Sequence, residues 1–435
     1  MGNDILLATK KIRYAETDPI RQINADICVA GAGISGLSAA LESAQAGKKV
    51  LLLDGQGQLG GQTYNSCIGC FCGFYSNGDP GYQLTHGIAD SLFRDLKALG
   101  GLFENPIGMT RVPYYDETMF LRWAEKQVLK AGIQVLLGAV IRRVVMQGRR
   151  ITEIHVATRY GDMVVKADGF VDASGDAVVG WLAGLSCNIP ENGTVLGSEM
   201  FILEGIDFSS AVPSEEELMK KMEQCAGKYG LIRKKGLMFY TPERANGTAY
   251  GNMTHVDTPL DPLKASMIAL TGKDQADKVV HFLKQEYPAN FSHANVRTYG
   301  QTGIRQTRWI SGCTQLSLND VRTGKRFDDA IARTAWPVEL HNDEGGYIWE
   351  IFDDEHVHYI PLGSLISPEA DNYAACGRCI DADIAALSSV RVMGPCTATG
   401  AAAAHALMLA GKGSVHEINI SELQKRLSDN INRCD

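Results

Sequence analysis

Three kinds of side chain in this sequence have types and spacings that suit chemistry. Gly303-Ile-Arg305-Gln-Thr-Arg308 sets two arginines three residues apart, and the planar guanidinium fork pairs bidentately with a carboxylate. The plainer alternative gives Arg305 and Arg308 ion pairs at a domain boundary. His341, His356 and His358 are the acid–base candidates, because histidine titrates where a proton must leave an alcohol, an amine or an activated C–H. His341 is preferred and His358 comes second. His356-Val-His358 would put both rings on one strand face, as in a metal pair. Asp353, Asp354 and Glu355 beside it read as a solvated turn, so no metal site is expected. Cys67-Ile-Gly-Cys70-Phe-Cys72 could ligate an iron–sulfur cluster or act as a redox dithiol. A fourth ligand is not evident near it, and small polarizable packing residues are the expectation. Cys376-Gly-Arg-Cys379 is a second CxxC, at the end of a buried strand.

The elements that position these groups begin at Asp26-Ile-Cys-Val-Ala30, a short apolar strand. Gly31-Ala-Gly33-Ile-Ser-Gly36 follows at once, then a helix over Leu37 to Ala46 stopped by Gly47, then the apolar strand Lys49 to Leu53 ending at Asp54. A GxGxxG between strand and helix, with an acid 18 residues after Gly36, predicts a dinucleotide site. Gly31 makes the turn, Gly33 admits the pyrophosphate, Gly36 lets the helix pack, and Asp54 accepts from a ribose hydroxyl. This loop alone does not separate FAD from NAD. Gly60-Gly61 soon after strand two lets a second backbone segment approach. Val140–Val145, Ile151–Val156 and Met163–Lys166 read as a three-stranded meander, followed by a buried strand from Gly169 to Asp176. Ala374 to Arg378 is another strand end, and Arg391 to Gly400 leads into an alanine-rich helix.

Jointly these motifs resemble the FAD-dependent oxidoreductases of the glutathione-reductase-type flavin fold, in the branch with fumarate reductase and succinate dehydrogenase flavoproteins. The match runs from Ala25 to about Lys412, with Ser174 in Asp172-Ala-Ser-Gly175-Asp176 where the family has threonine. The resemblance implies an α/β protein: a Rossmann-like FAD-binding domain with an inserted α+β substrate domain. It implies FAD as cofactor, with its ADP half on Gly31, Gly33, Gly36 and Asp54, and Val140 near the adenine. Gly175 and Asp176 would flank the pyrophosphate or ribitol, and the helix from Gly394 to Gly400 would aim its N-terminus at the flavin. Ser35, Gly60, Gly61, Gln62 and Ala173, with Gly377, Arg378, Arg391, Thr397, Ala398 and Thr399, complete the expected cofactor contacts. His341 and Ile360-Pro-Leu-Gly-Ser-Leu365 match the family's return to the flavin.

The 435 residues divide accordingly into an arm at 1–24, flavin-domain halves at 25–189 and 336–412, an insertion at 190–335 and a tail at 413–435. The insertion is expected to hold a helix from Pro213 to Gly227 with a capping serine, helices over Asp261–Thr271 and Asp274–Tyr287, and strands at Leu237–Tyr240 and Thr248–His255. A formal charge of −8 argues against a nucleic-acid partner, and no run is long and apolar enough to span a membrane. Eleven cysteines without an export-type leader suit reduced thiols in the cytoplasm. A second GxGxxG unit is not evident, so the electron acceptor is unknown, and a homo-oligomer is compatible with the sequence. The expected activity is hydride transfer between FAD and a small substrate that is polar or carboxylate-bearing, in the direction of dehydrogenation or oxidation. The alternatives are an electron-transfer subunit working through Cys67, Cys70 and Cys72, and a non-catalytic FAD scaffold.

Overall fold

The computed structural model describes residues 9–13, 20–103, 111–190, 195–242, 244, 247–343 and 345–433. Most of the expected N-terminal arm lies outside them. Strand β1 (Arg21–Ala30), helix α1 (Ile34–Gln45) and strand β2 (Val50–Asp54) form the first crossover, and β1 and β2 pair in parallel. The apolar run of each strand is fully buried because both faces of the sheet are covered. Strand β3 (Gln134–Leu137) extends the sheet beyond β2. On the other side of β1 lies a meander of β4 (Val140–Gln147), β5 (Arg150–Thr158) and β6 (Gly161–Asp172). The first half of β6 pairs antiparallel with β5, and its second half pairs in parallel with β7 (Tyr373–Ala375).

Two boundaries differ from the sequence reading. β6 is one strand of 12 residues, where two were expected on either side of Gly169. Its glycine is required by packing rather than by a turn: a Cβ there would stand 3.0 Å from Ile27 and 3.2 Å from Leu407. β1 likewise starts five residues early, because Arg21–Ala25 finds parallel partners along Met163–Ala167.

The inserted segment builds a separate antiparallel sheet, in the order Leu237–Thr241, Thr248–Asn252, Phe201–Glu204, Asn295–Tyr299. Helix α2 (Glu215–Tyr229) begins at the Ser214 cap, whose hydroxyl accepts from Glu217 N. The two short helices expected after it are one helix, α3 (Pro262–Glu286), since Gly272 is buried against Val256 and Glu199 and does not break it. α2, α3 and the sheet enclose a core of their own, with Phe201, Met222, Phe282 and Phe291 fully buried.

The insertion is fastened to the flavin half by a buried ion cluster. Glu117, in the first turn of the helix Glu117–Lys130, accepts from Arg297 at 2.6 Å, Arg244 at 3.1 Å and Tyr250 at 2.5 Å. The strand Ala330–Thr334, on the inserted side of the expected boundary, packs instead into the core of α1 and the long helix α4 (Met393–Ala410). Among the described residues no single helix is long and apolar enough to cross a membrane.

Candidate functional site

Two cavities open where the flavin half meets the insertion. The narrow one, about 450 Å³, runs over the C-terminal ends of β1 and β2. The GxGxxG loop shapes it through backbone. Gly31 has φ +105°, and a Cβ there would stand 2.3 Å from the carbonyl oxygen of Ala173. A Cβ on Gly36 would stand 1.8 Å from the Gly31 oxygen, so this glycine serves the packing of α1 and does not line the cavity. Gly60, left-handed with φ +98°, turns the chain so that Gly61 abuts Gly33; a Cβ on Gly61 would lie 2.7 Å from the Gly33 Cα. Asp54 closes the end of β2, where its carboxylate accepts from Ala32 N at 2.6 Å and Gln56 N at 2.7 Å. Ser35, Gln62, Val140, Ala173, Gly175 and Asp176 line the same space, with Gly377, Arg378 and Arg391 at its far end.

The wide cavity, about 1230 Å³, lies against the insertion and continues from the narrow one. Gln62, Ile68, Ile304, Arg378, Arg391 and Met393 line both, so they mark the junction. Met393 opens α4, whose first backbone N–H groups have no side-chain cap. At the junction two buried guanidinium nitrogens have no hydrogen-bond partner among the described residues: Arg391 Nε, and Arg378 Nη1, which stands 3.7 Å from the Asp176 carboxylate. Unpaired buried donors are costly, and their place at the junction fits an anionic or electron-rich group there.

Arg305 lines the wide cavity while its guanidinium donates to the Leu196 carbonyl at 2.8 Å and the Ser198 hydroxyl at 3.0 Å. Withdrawal from water, with repulsion from Arg391, lowers its pKa to about 9. Burial likewise lowers Arg391 to about 10, and Arg233, behind Tyr347, to about 10. Glu339 faces these cations from the hairpin Val338–Glu350. Burial alone would raise its carboxyl; the hydrogen bond from His341 and the charges of Arg305 and Arg391 outweigh it and bring it to about 2. His341 Nε2 lies 2.8 Å from Glu339, and its Nδ1 lies 2.9 Å from His255 Nε2. Burial first, then Arg305, pushes His341 down to about 2. The pair therefore rests as an anionic carboxylate and a neutral imidazole.

The FAD-dependent oxidoreductase family model matches residues 26–427. The chain belongs to this family. An 83-residue stretch, 19% of the chain, is 53% identical to a probable oxidoreductase, OrdL, of Haemophilus influenzae, and spans 16% of that protein. A geranylgeranyl bacteriochlorophyll reductase-like protein of Thermoplasma acidophilum superposes with a TM-score of 0.50 at 12% identity, over 94% of this chain and 84% of the other. The flavin-dependent brominase Bmp2 gives 0.48 at 12% identity over 94% and 83%. The likeness to the Thermoplasma protein is one of fold.

In this FAD-dependent oxidoreductase the glycine cradle, the acid at the end of β2 and the unpaired donors at the junction fit the cofactor of the family. Several residues singled out from the sequence lie elsewhere. Thr397, Ala398 and Thr399 are buried along α4 and line neither cavity, although Met393 and Cys396 on the same helix do. Thr399 instead accepts from Gly377 N at 3.1 Å, fixing the turn that carries Arg378. Arg308 is separated from Arg305: it stacks on Trp181 at 4.6 Å and donates to the Asp176 carbonyl at 3.2 Å. His358 is fully buried between Ser389 at 2.9 Å and His356 at 3.2 Å, away from both cavity linings. His341 is also fully buried, and Glu339 is the member of its pair that meets the cavity. That glutamate was missed in the sequence, although Val338-Glu-Leu-His341 alternation puts residues 339 and 341 on one strand face.

The cysteines also divide. Cys67 packs with Ile202 and Tyr250, while Cys70 and Cys72 line the wide cavity. Cys379 Sγ accepts from Gly175 N at 3.1 Å and Ala177 N at 3.3 Å, so the second CxxC shapes the turn under the narrow cavity. Among the described residues no group of three or more His, Cys, Asp or Glu is arranged to hold a metal ion.

Proposed function

We propose that this oxidoreductase dehydrogenates a small carboxylate-bearing substrate, passing a hydride to FAD held in the narrow cavity. The observation that carries the reading is the charge of the inner wall: Arg305 and Arg391, with Arg233 behind them, face the carboxylate of Glu339, while Glu215, Glu216 and Glu223 line the same cavity from the insertion's helix. Burial, then Arg391 and Arg233, lowers Arg305, and a bound carboxylate would offset that repulsion while pairing with the forks of Arg305 and Arg391. In this reading FAD lies with its ADP half along Gly31, Gly33, Gly61 and Asp54, and its ring at the junction, below the N-terminus of α4. Bound there, it supplies the two-electron acceptor. The Glu339–His341 pair takes the proton that leaves the substrate's O–H or N–H. At rest the pair is a carboxylate and a neutral imidazole, so in this reading it receives that proton only in passing and relays it onward. Placement in the branch of fumarate reductase and succinate dehydrogenase flavoproteins rests on the Asp172–Asp176 and Arg391–Gly400 motifs and belongs to this proposal.

The test is anaerobic bleaching of the protein-bound flavin across a panel of small hydroxy, amino and saturated carboxylic acids, each paired with its neutral amide. Bleaching by an acid and not by its amide is the expected result. Equal bleaching by amides, or bleaching only by apolar compounds, would overturn the carboxylate reading.

A further inference from the structure

We propose that Cys70 and Cys72 form a redox pair that exchanges two electrons with the flavin, alternating between two thiols and a disulfide. The inference rests on the ring lying at the cavity junction.

The local fold converts a three-cysteine motif into a two-cysteine one. Cys67 sits in the left-handed region with φ 52° and turns into a small apolar cluster. Cys70 bridges to Tyr114, and the chain through Cys72 lies outside any named strand. Phe71 is fully buried and stacks on Tyr115 at 4.1 Å between centroids. That anchor leaves both sulfurs on the wall of the wide cavity, 3.7 Å apart. A disulfide is about 2.05 Å long, so the sulfurs need to approach by roughly 1.7 Å.

The segment is also pinned to the junction. Gly69 and Gly73 flank it with φ +74° and +77°; a Cβ on the first would strike the Tyr250 ring, and on the second Val392 and Pro395. The Cys72 carbonyl accepts from Gly394 N at 2.9 Å, in the first turn of α4. Met393, one residue before, lines both cavities. The thiols therefore stand over the same helix start as the junction.

The charges around Cys72 can handle the proton. The hydrogen bond with Cys70, and burial, hold Cys72 well above an ordinary thiol, so it rests protonated; Arg391 favours its thiolate and Glu339 opposes it. Oxidation of the pair by FAD breaks two S–H bonds and forms one S–S bond. Two electrons and one proton would pass to FAD, and the second proton would leave to solvent. The reverse step returns two electrons and two protons to the sulfurs. The loaded protein thus stores four electrons, two on FAD and two on the cysteines.

The experiment is an anaerobic dithionite titration of the air-oxidised, FAD-loaded protein, with Cys70→Ser and Cys72→Ser beside it. Wild type is expected to consume four electrons per FAD and each variant two, with FAD retained. A second measurement uses the wild-type chain stripped of FAD: treatment with diamide, alkylation under denaturing conditions and peptide mapping. A peptide carrying Cys70 and Cys72 in unalkylated, disulfide form is expected, and reduction should restore two alkylations. Two electrons per FAD in wild type, with both cysteines alkylated after diamide, would overturn the pair while leaving the flavin site intact. A protein that takes up no FAD would overturn the site reading on which the exchange depends.

Discussion

The two cavities are built by different means. The narrow one is shaped by backbone: Gly31 and Gly61 bring main-chain segments within a distance that no Cβ would permit, and they lie 30 residues apart in the chain. The wide one is shaped by side chains from remote parts of the chain, with Cys70, Ser198, Arg305, Glu339 and Arg391 meeting only in the folded protein. The first kind of site fixes a shape common to many reactions. The second fixes charge, and in the proposed function that charge decides which molecule is accepted and where its proton goes.

The largest effect should come from attacking the backbone site. Gly31→Val forces a side chain into the Ala173 carbonyl, and the purified protein should carry no FAD, read from its absorbance spectrum. Next is the proton acceptor: Glu339→Gln should slow bleaching of the flavin by substrate roughly 10²- to 10⁴-fold with FAD retained, measured by stopped flow. His341→Ala should act in the same direction. Because His341 stays neutral down to about 2, the wild-type rate should show no histidine inflection between about pH 5 and 8. A break near 6.5 would assign the proton to an exposed ring and dissolve the contrast between the sites.

Smaller effects should separate the cavities cleanly. Arg305→Lys keeps the charge and loses the fork, so the substrate KM should rise roughly ten- to a hundredfold while the FAD Kd is unchanged. Asp54→Ala should do the converse, weakening FAD by about 1.5–3 kcal/mol in fluorescence titration without altering substrate selectivity. The smallest concerns Glu199, next to the Ser198 that holds Arg305. Burial raises its carboxyl from 4.5 to about 7. The folded protein then holds this proton more tightly than the unfolded chain. Its contribution to stability is present below about pH 4.5 and is lost as pH rises through 7. Melting temperature should fall between pH 5 and 8, and Glu199→Gln should flatten that slope.

The difference between the cavities also explains what the sequence made legible. Strand β1, the glycine loop, α1 and Asp54 are contiguous, and each residue type answers a local demand, so a dinucleotide site could be read directly, while FAD and the fold class came from the family resemblance of the later motifs. The helix from Ser214 was legible through its cap. Gly169 misled, because a glycine inside a strand looks the same in sequence whether it turns the chain or makes room for Leu407. Arg305 and Arg308 share one motif yet diverge, since the chain from Ile304 to Trp309 crosses from the wide cavity to the Trp181 side. Glu339 was hidden for the opposite reason: a single glutamate on a strand gains meaning only from the arginines folded around it.

Six residues belong to the walls of both cavities, Arg391 among them. Occupancy of one space therefore alters the free energy of filling the other, and by reciprocity the influence is equal in both directions. In the proposed function, an anion that neutralised Arg391 from the wide cavity would change how firmly the cofactor is held. The affinity for FAD is accordingly a property of the loaded state as much as of the glycine cradle, and it should be reported with the substrate concentration at which it was measured.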